Sequence, residues 1–132
     1  MIVLDTHALV WWLSDKRRLS SVARREIDKQ VGRGNRLIVS SISAWEIAML
    51  VQKSRLTLTM DVFDWLAHVE RLPQFRIVPV DNRIALRSTS LPEPFHKDPA
   101  DRMIVATAQQ LRAVIVTADR KLLDYPHVET IW

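Results

Sequence analysis

The chain opens with Ile2-Val3-Leu4-Asp5-Thr6, three consecutive apolar residues that run straight into a carboxylate. A run this short, largely β-branched and closed by an acid reads as a strand buried on both faces, with an aspartate at its carboxyl end. The plan recurs far along the chain in Val114-Ile115-Val116-Thr117-Ala118-Asp119. The runs Leu37–Val39 and Ile77–Val80 have the same character, and Val128–Ile131 is a weaker fifth. Between them the apolar residues switch to helical spacing. Ala23, Ile27 and Val31 follow the cap signal Ser20-Ser21; Val62, Leu66 and Val69 follow Asp61; Ile104, Val105, Ala108 and Leu111 form a third stripe.

Strands that alternate with helices require right-handed crossovers, and therefore a parallel sheet covered on both sides. The expected class is α/β, a three-layer α/β/α sandwich with a central parallel sheet of four to five strands. The only two glycines lie in Val31-Gly32-Arg33-Gly34-Asn35, which reads as an exposed turn between a helix and a strand. No repeat, low-complexity tract or linker divides the sequence, so residues 1–132 are read as one domain.

Composition narrows the function classes. Nearly half of the residues are apolar and about a quarter charged, the balance of a soluble globular protein. No apolar run approaches the roughly 20 residues of a membrane span. The first residues show neither the charged segment nor the cleavage site of an export signal, so a cytoplasmic location is expected. The absence of cysteine excludes disulfides and thiolate zinc sites. The net charge is +4, from 19 basic and 15 acidic residues. Setting aside the five acids discussed next leaves ten acids against 19 bases, a balance of +9. A basic body with an acidic spot suits a polyanion-binding, cation-requiring enzyme, although solubility alone also accounts for a basic surface.

In parallel α/β sheets ligands bind at the carboxyl ends of the strands. Asp5 and Asp119 both stand there. One such aspartate is ordinarily a helix cap; two on parallel strands converge on one crevice. Glu46 lies in Ser41-Ile42-Ser43-Ala44-Trp45-Glu46-Ile47-Ala48-Met49-Leu50-Val51, a helix apolar nearly all round. Its carboxylate is expected to leave a largely buried surface, where it needs a cation or a proton; Lys53 or Arg55 could pair with it instead. In His96-Lys97-Asp98-Pro99-Ala100-Asp101-Arg102, Asp98 reads as the cap of a helix that starts at Pro99. Asp101 shares a face with Ile104, Val105 and Ala108 and points toward the sheet. Asp101 is therefore assigned to chemistry and Asp98 to support. Gathering Asp5, Glu46, Asp101 and Asp119 would cost several kcal/mol in repulsion unless a cation neutralises them. Oxygen-only donors favour Mg²⁺ or Mn²⁺ over zinc. The matching reaction is in-line phosphodiester hydrolysis, with one ion activating water and a second, if present, stabilising the leaving oxygen.

At these residues the sequence resembles the PIN-domain nucleases, most closely the VapC-type toxins. The likeness rests on Asp5-Thr6-His7-Ala8-Leu9, Ser43-Ala44-Trp45-Glu46-Ile47, the His96–Arg102 stretch and Val116-Thr117-Ala118-Asp119. It runs in order from residue 1 to about residue 125. The resemblance implies a Mg²⁺- or Mn²⁺-dependent endoribonuclease, acting on RNA as a homodimer and held inactive by a cognate antitoxin whose tail reaches the active site. It implies Asp5 and Asp101 as principal metal ligands, Glu46 completing the acidic set, and Asp119 as a fourth, more variable acid. Thr6 and Thr117 match assisting hydroxyls, and Asp98 belongs to the motif as a supporting residue.

His7 and His96 flank the acidic motifs and read as neighbours of the site rather than as bases. Trp11 and Trp12 are turned about 100° apart on a helix, so one enters the core and the other is a candidate interface residue. Arg17, Arg18, Arg24 and Arg25 read as a solvated helix face with RNA phosphates as the alternative partner. Two other functions compete. A phospho-receiver would use Asp81 and Thr117, but it requires an acidic pair after the first strand and a lysine after the fifth. A non-catalytic RNA-binding module leaves Glu46 and Asp101 without a purpose.

Overall fold

The computed structural model describes every residue from Met1 to Trp132. Five strands form: β1 (Ile2–Leu4), β2 (Leu37–Ser40), β3 (Phe75–Val78), β4 (Val114–Val116) and β5 (Thr130–Ile131). All neighbours pair in parallel, in the order β3-β2-β1-β4-β5. Seven helices alternate with them: α1 (Thr6–Ser14), α2 (Ser21–Gly32), α3 (Ser41–Gln52), α4 (Val62–Arg71), α5 (Asn82–Thr89), α6 (Pro99–Leu111) and α7 (Arg120–Leu123). The three-layer α/β/α sandwich expected from the sequence is the observed architecture.

Alternate side chains of each central strand enter opposite layers. Ile2, Leu4, Leu37, Val39 and Val116 pack with Leu9, Trp12, Ile27, Trp65 and Val69 from α1, α2 and α4. Val3, Ile38 and Ile115 pack with Ile84, Ile104, Val105 and Leu122 from α5, α6 and α7. Most of these are completely buried, and each such aliphatic side chain contributes roughly 1.5–3 kcal/mol of hydrophobic stabilisation.

Local chemistry starts the helices where it was read. Ser20, Asp61, Asp81 and Asp98 each accept a backbone N–H from the first turn that follows. Gly32 ends α2, and Gly34 takes φ 75°, a left-handed conformation in which a side chain would be strained.

Three expectations are corrected. The third strand covers Phe75–Val78 rather than Ile77–Val80, because Pro79 has no N–H to continue the ladder. Val80 gives its N–H to Ser41 Oγ instead, at 2.9 Å. Nor is β3 buried on both faces: it is a sheet edge, and Arg76 faces solvent. Third, α3 is apolar but only Ser43 and Ile47 are fully buried, while Trp45 is 55% exposed. This helix meets α1, α4 and α6 beyond the end of β2, so much of its circumference has no sheet to lie on. Trp12 enters the core, as one of the tryptophan pair had to. Trp11 is half-buried and rests against His7 and the ring of Trp132, with centroids 5.6 and 5.8 Å away.

Candidate active site

The strand order reverses direction at β1, which lies between β2 and β4. In a doubly wound sheet such a reversal opens a crevice, because the flanking connections depart to opposite faces. Asp5 follows β1 and Thr117-Ala118-Asp119 follows β4, so both stand at its mouth.

Asp5 is held on both oxygens. Its Oδ1 accepts the Ala8 N–H at 2.8 Å, capping α1, and its Oδ2 accepts the Thr117 hydroxyl proton. Thr117 Oγ in turn accepts the Asp119 N–H at 3.0 Å, so one hydroxyl links the ends of the two strands. Thr117 is fully buried and Asp5 is 6% exposed. Burial pushes the Asp5 carboxyl above its ordinary value; the bonds from Thr117 and Ala8 and the nearby His7 oppose this only in part, and Asp119 adds to it.

Glu46 reaches the same region from α3. Its Oε1 accepts the hydroxyl of Thr6, the first residue of α1, and Thr6 Oγ also hydrogen-bonds Ser43 Oγ at 2.9 Å. Ser43 is fully buried one helical turn before Glu46. It was not singled out in the sequence, although its three-residue spacing from Glu46 places both on one face. Glu46 itself is half-buried and forms no ion pair with Lys53 or Arg55.

Asp98 caps α6, accepting the Asp101 N–H at 3.0 Å, and is exposed. The Asp101 side chain is 16% exposed and points inward, as its position on the helix required. Its carboxyl is pushed up to about 7, first by burial and then by Asp98, Asp119, Glu46 and Asp5. Asp5, Glu46 and Asp119 therefore all stand near enough to Asp101 to disfavour its charge. Asp119 is at the rim, where its Oδ1 caps α7 by accepting the Lys121 N–H at 2.9 Å.

One base does approach. His96 Nε2 lies 3.2 Å from Asp101 Oδ2. The atom is shielded from solvent and has no hydrogen-bond partner of acceptable direction, so the contact is one of proximity rather than a formed bond. No lysine or arginine forms an ion pair with Asp5, Glu46, Asp101 or Asp119. Arg102, the next residue after Asp101, turns away. Its guanidinium donates to the carbonyls of Ser88, Phe95 and His96 and to Glu93 Oε1, at 2.8–3.4 Å.

These residues fit a hard divalent cation. All donors are oxygens, the Asp5 and Asp101 carboxyls are driven toward the neutral form by burial and by neighbouring acids, and no lysine or arginine pairs with them. No three of the acids stand close enough to enclose an ion unaided. Mg²⁺ ordinarily keeps several waters and takes only one or two protein carboxylates.

Fold and site together define a doubly wound α/β protein whose acidic crevice lies at its topological switch point. A receiver-type sheet is excluded, since it has the order 2-1-3-4-5 and Asp81 here only caps α5. The PIN domain family model matches residues 2–128. The chain is 34% identical to Ribonuclease VapC22 of Mycobacterium tuberculosis over 133 residues, covering 99% of this chain and 98% of that protein. The chain belongs to the PIN-domain family, as a VapC-type ribonuclease. Solved structures agree on the fold. VapBC2 from Rickettsia felis, bound to a DNA fragment from its promoter, superposes with a TM-score of 0.70 at 16% identity over 99% of this chain and 98% of that one. The toxin–antitoxin complex from Klebsiella pneumoniae gives 0.61 at 21% identity, over 100% and 97%.

Proposed function

We propose that residues 1–132 act as one nuclease domain that hydrolyses RNA phosphodiester bonds in the crevice between β1 and β4. Asp5 and Asp101 would hold a Mg²⁺ or Mn²⁺ ion, with Glu46 completing the acidic set and Asp119 at the rim. The observation that carries this reading is the convergence of four carboxylates that no lysine or arginine neutralises. A bound ion would supply Lewis-acid polarisation of the phosphoryl group and would acidify water beside it. The chain's own part is orientation. Thr117 fixes the rotamer of Asp5, the Thr6–Ser43 pair fixes Glu46, and Asp98 starts the helix that aims Asp101 inward.

The same reading makes the chain the toxin of a cytoplasmic toxin–antitoxin pair. It is supported by the likeness to chains from toxin–antitoxin complexes and by the absence of any helix long and apolar enough to cross a membrane. The exposed apolar side chains Trp45 on α3 and Phe63 on α4 offer a surface for homodimerisation.

Cleavage of a mixed cellular RNA pool by the purified chain tests the proposal, with Mg²⁺ or Mn²⁺ and with EDTA, beside Asp5→Asn and Asp101→Asn. Discrete metal-dependent fragments should appear and be lost in both folded variants. Equal cutting by wild type and variants would remove the site assignment. The absence of both cutting and Mn²⁺ binding would remove the enzymatic reading.

A further inference from the structure

His96 has no part in the chemistry assigned to the four acids, yet it is aimed at one of them. Its Nε2 is the one shielded side-chain polar atom of the protein without a hydrogen bond, and it lies 3.2 Å from Asp101 Oδ2. The acid lacks a partner as well. Asp5 Oδ2 accepts the Thr117 hydroxyl and Glu46 Oε1 accepts that of Thr6. Of Asp101 only the backbone N–H is bonded, to Asp98, and its carboxylate accepts nothing.

The imidazole is held from behind. Its ring meets Phe95 edge-on with centroids 4.6 Å apart, and Phe95 stacks at 4.1 Å on Tyr125, which is buried. Tyr125 is fixed in turn by its hydroxyl, which donates to the Pro92 carbonyl at 2.7 Å. The backbone is fixed too. Arg102 donates to the carbonyls of Phe95 and His96 at 3.4 and 3.1 Å, and its guanidinium lies 5.7 Å from the Phe95 ring. Arg102 follows Asp101 on α6, so the loop that carries His96 and the helix that carries Asp101 are tied together. The two side chains are only 19% and 16% exposed, which leaves water little access to either. A shielded polar atom without a partner is costly, and a turn of the ring or of the carboxylate converts this contact into a bond. A neutral imidazole with its proton on Nε2 suffices as the donor.

We infer that His96 is a positioning residue: its Nε2–H donates to Asp101 Oδ2 and fixes that carboxylate as Thr117 fixes Asp5, leaving the other oxygen for the cation. His96 acts through Asp101 and touches neither ion nor substrate. The inference rests on the metal-nuclease reading and completes a pattern within it. Asp5, Glu46 and Asp101 each take one neutral donor from a distant part of the chain or an adjoining loop, an arrangement that orients ligands without adding charge to the site.

The test titrates the full chain with Mn²⁺, wild type beside His96→Leu and His96→Gln. Leucine fills the space without a donor, whereas the glutamine amide reaches the place of Nε2 and donates there. His96→Leu should weaken Mn²⁺ binding about 10- to 100-fold, and His96→Gln should recover most of the loss. RNA cleavage by His96→Leu should fall at limiting Mn²⁺ and regain the wild-type kcat at saturating Mn²⁺, with KM for RNA unchanged. A packing role would lower the stability of both variants in EDTA and would give no rescue by glutamine. Equal Mn²⁺ affinity in wild type and His96→Leu overturns the inference, and so does a folded His96→Gln that binds no better than His96→Leu. Long-range ¹H–¹⁵N spectra of histidine-labelled wild type decide the donor even where a variant does not fold. With Mg²⁺ bound, His96 Nε2 should carry a proton; a bare Nε2 overturns the inference. If the wild type binds no Mn²⁺, the nuclease reading fails by itself, and the same spectra without metal still show whether Nε2 is the donor.

Discussion

Asp101→Asn should make the metal-free protein more stable at neutral pH while abolishing its activity. The carboxyl of Asp101 is pushed from 3.8 to about 7 in the fold, because burial and four nearby acids disfavour its charge. At 1.36 kcal/mol per pKa unit this corresponds to at most about 4 kcal/mol. Water at the mouth of the crevice screens part of it, leaving about 2 kcal/mol. Between pH 4 and 7 the native state keeps a proton that the unfolded chain has released. Stability therefore falls as pH rises through that window and levels off above it. Asparagine mimics the neutral acid and carries no such dependence. In EDTA, the variant should match wild type near pH 4 and exceed it by about 2 kcal/mol at pH 7.5, roughly 6–10 °C in Tm for a chain of this size. Added Mn²⁺ at pH 7.5 should then raise the Tm of the wild type and not that of the variant, since only a site that binds the ion in the native state is stabilised by it. Thermal melts of both proteins across pH 4–8, with EDTA and with Mn²⁺, read all of this. A stability difference that does not change with pH, or an Asp101→Asn variant no more stable than wild type at pH 7.5, would refute the argument that Asp101 is a strained acid awaiting a cation.

Three further outcomes are expected. Thr117→Val removes the hydroxyl that holds Asp5 Oδ2 and links it to Asp119, and should lower metal affinity or RNA cleavage about 10- to 100-fold with little loss of fold; metal titration and initial rates check it. Arg102→Met abandons the carbonyls of Ser88, Phe95 and His96, and should cost about 2–4 kcal/mol in urea unfolding, seen as a lower midpoint at unchanged slope. Ile104→Ala opens a cavity under α6, where the side chain is fully buried, and should cost about 2–5 kcal/mol by the same measurement.

What the sequence decided by itself is whatever depends on neighbours a few residues away. The alternation of short apolar runs with helical stripes follows from the repeat of each backbone geometry, and it specified the three layers and the parallel sheet. Capping is equally local: a side chain two or three residues before an N–H either reaches it or does not, so Asp61, Asp81 and Asp98 could be placed at helix starts. The inward direction of Asp101 followed from the stripe that it shares with Ile104, Val105 and Ala108. The end of β3 is local as well: Pro79 has no N–H for the ladder, so the strand stops before Val80.

The tertiary structure alone decided who meets whom. Thr117 bonds Asp5 across 112 positions, and Thr6 bonds Glu46 across 40. Neither contact is encoded in any window of sequence; both exist because strand order sets β1 beside β4 and α3 across the end of β2. The same order made β3 an edge and left α3 only partly covered, with Trp45 exposed, although its composition is that of a buried helix. It also set His96 beside Asp101 and stacked Phe95 on Tyr125, with ring centroids 4.1 Å apart. Periodicity reports which face of an element is apolar, but burial is a property of what arrives opposite that face, and only the packed chain supplies it.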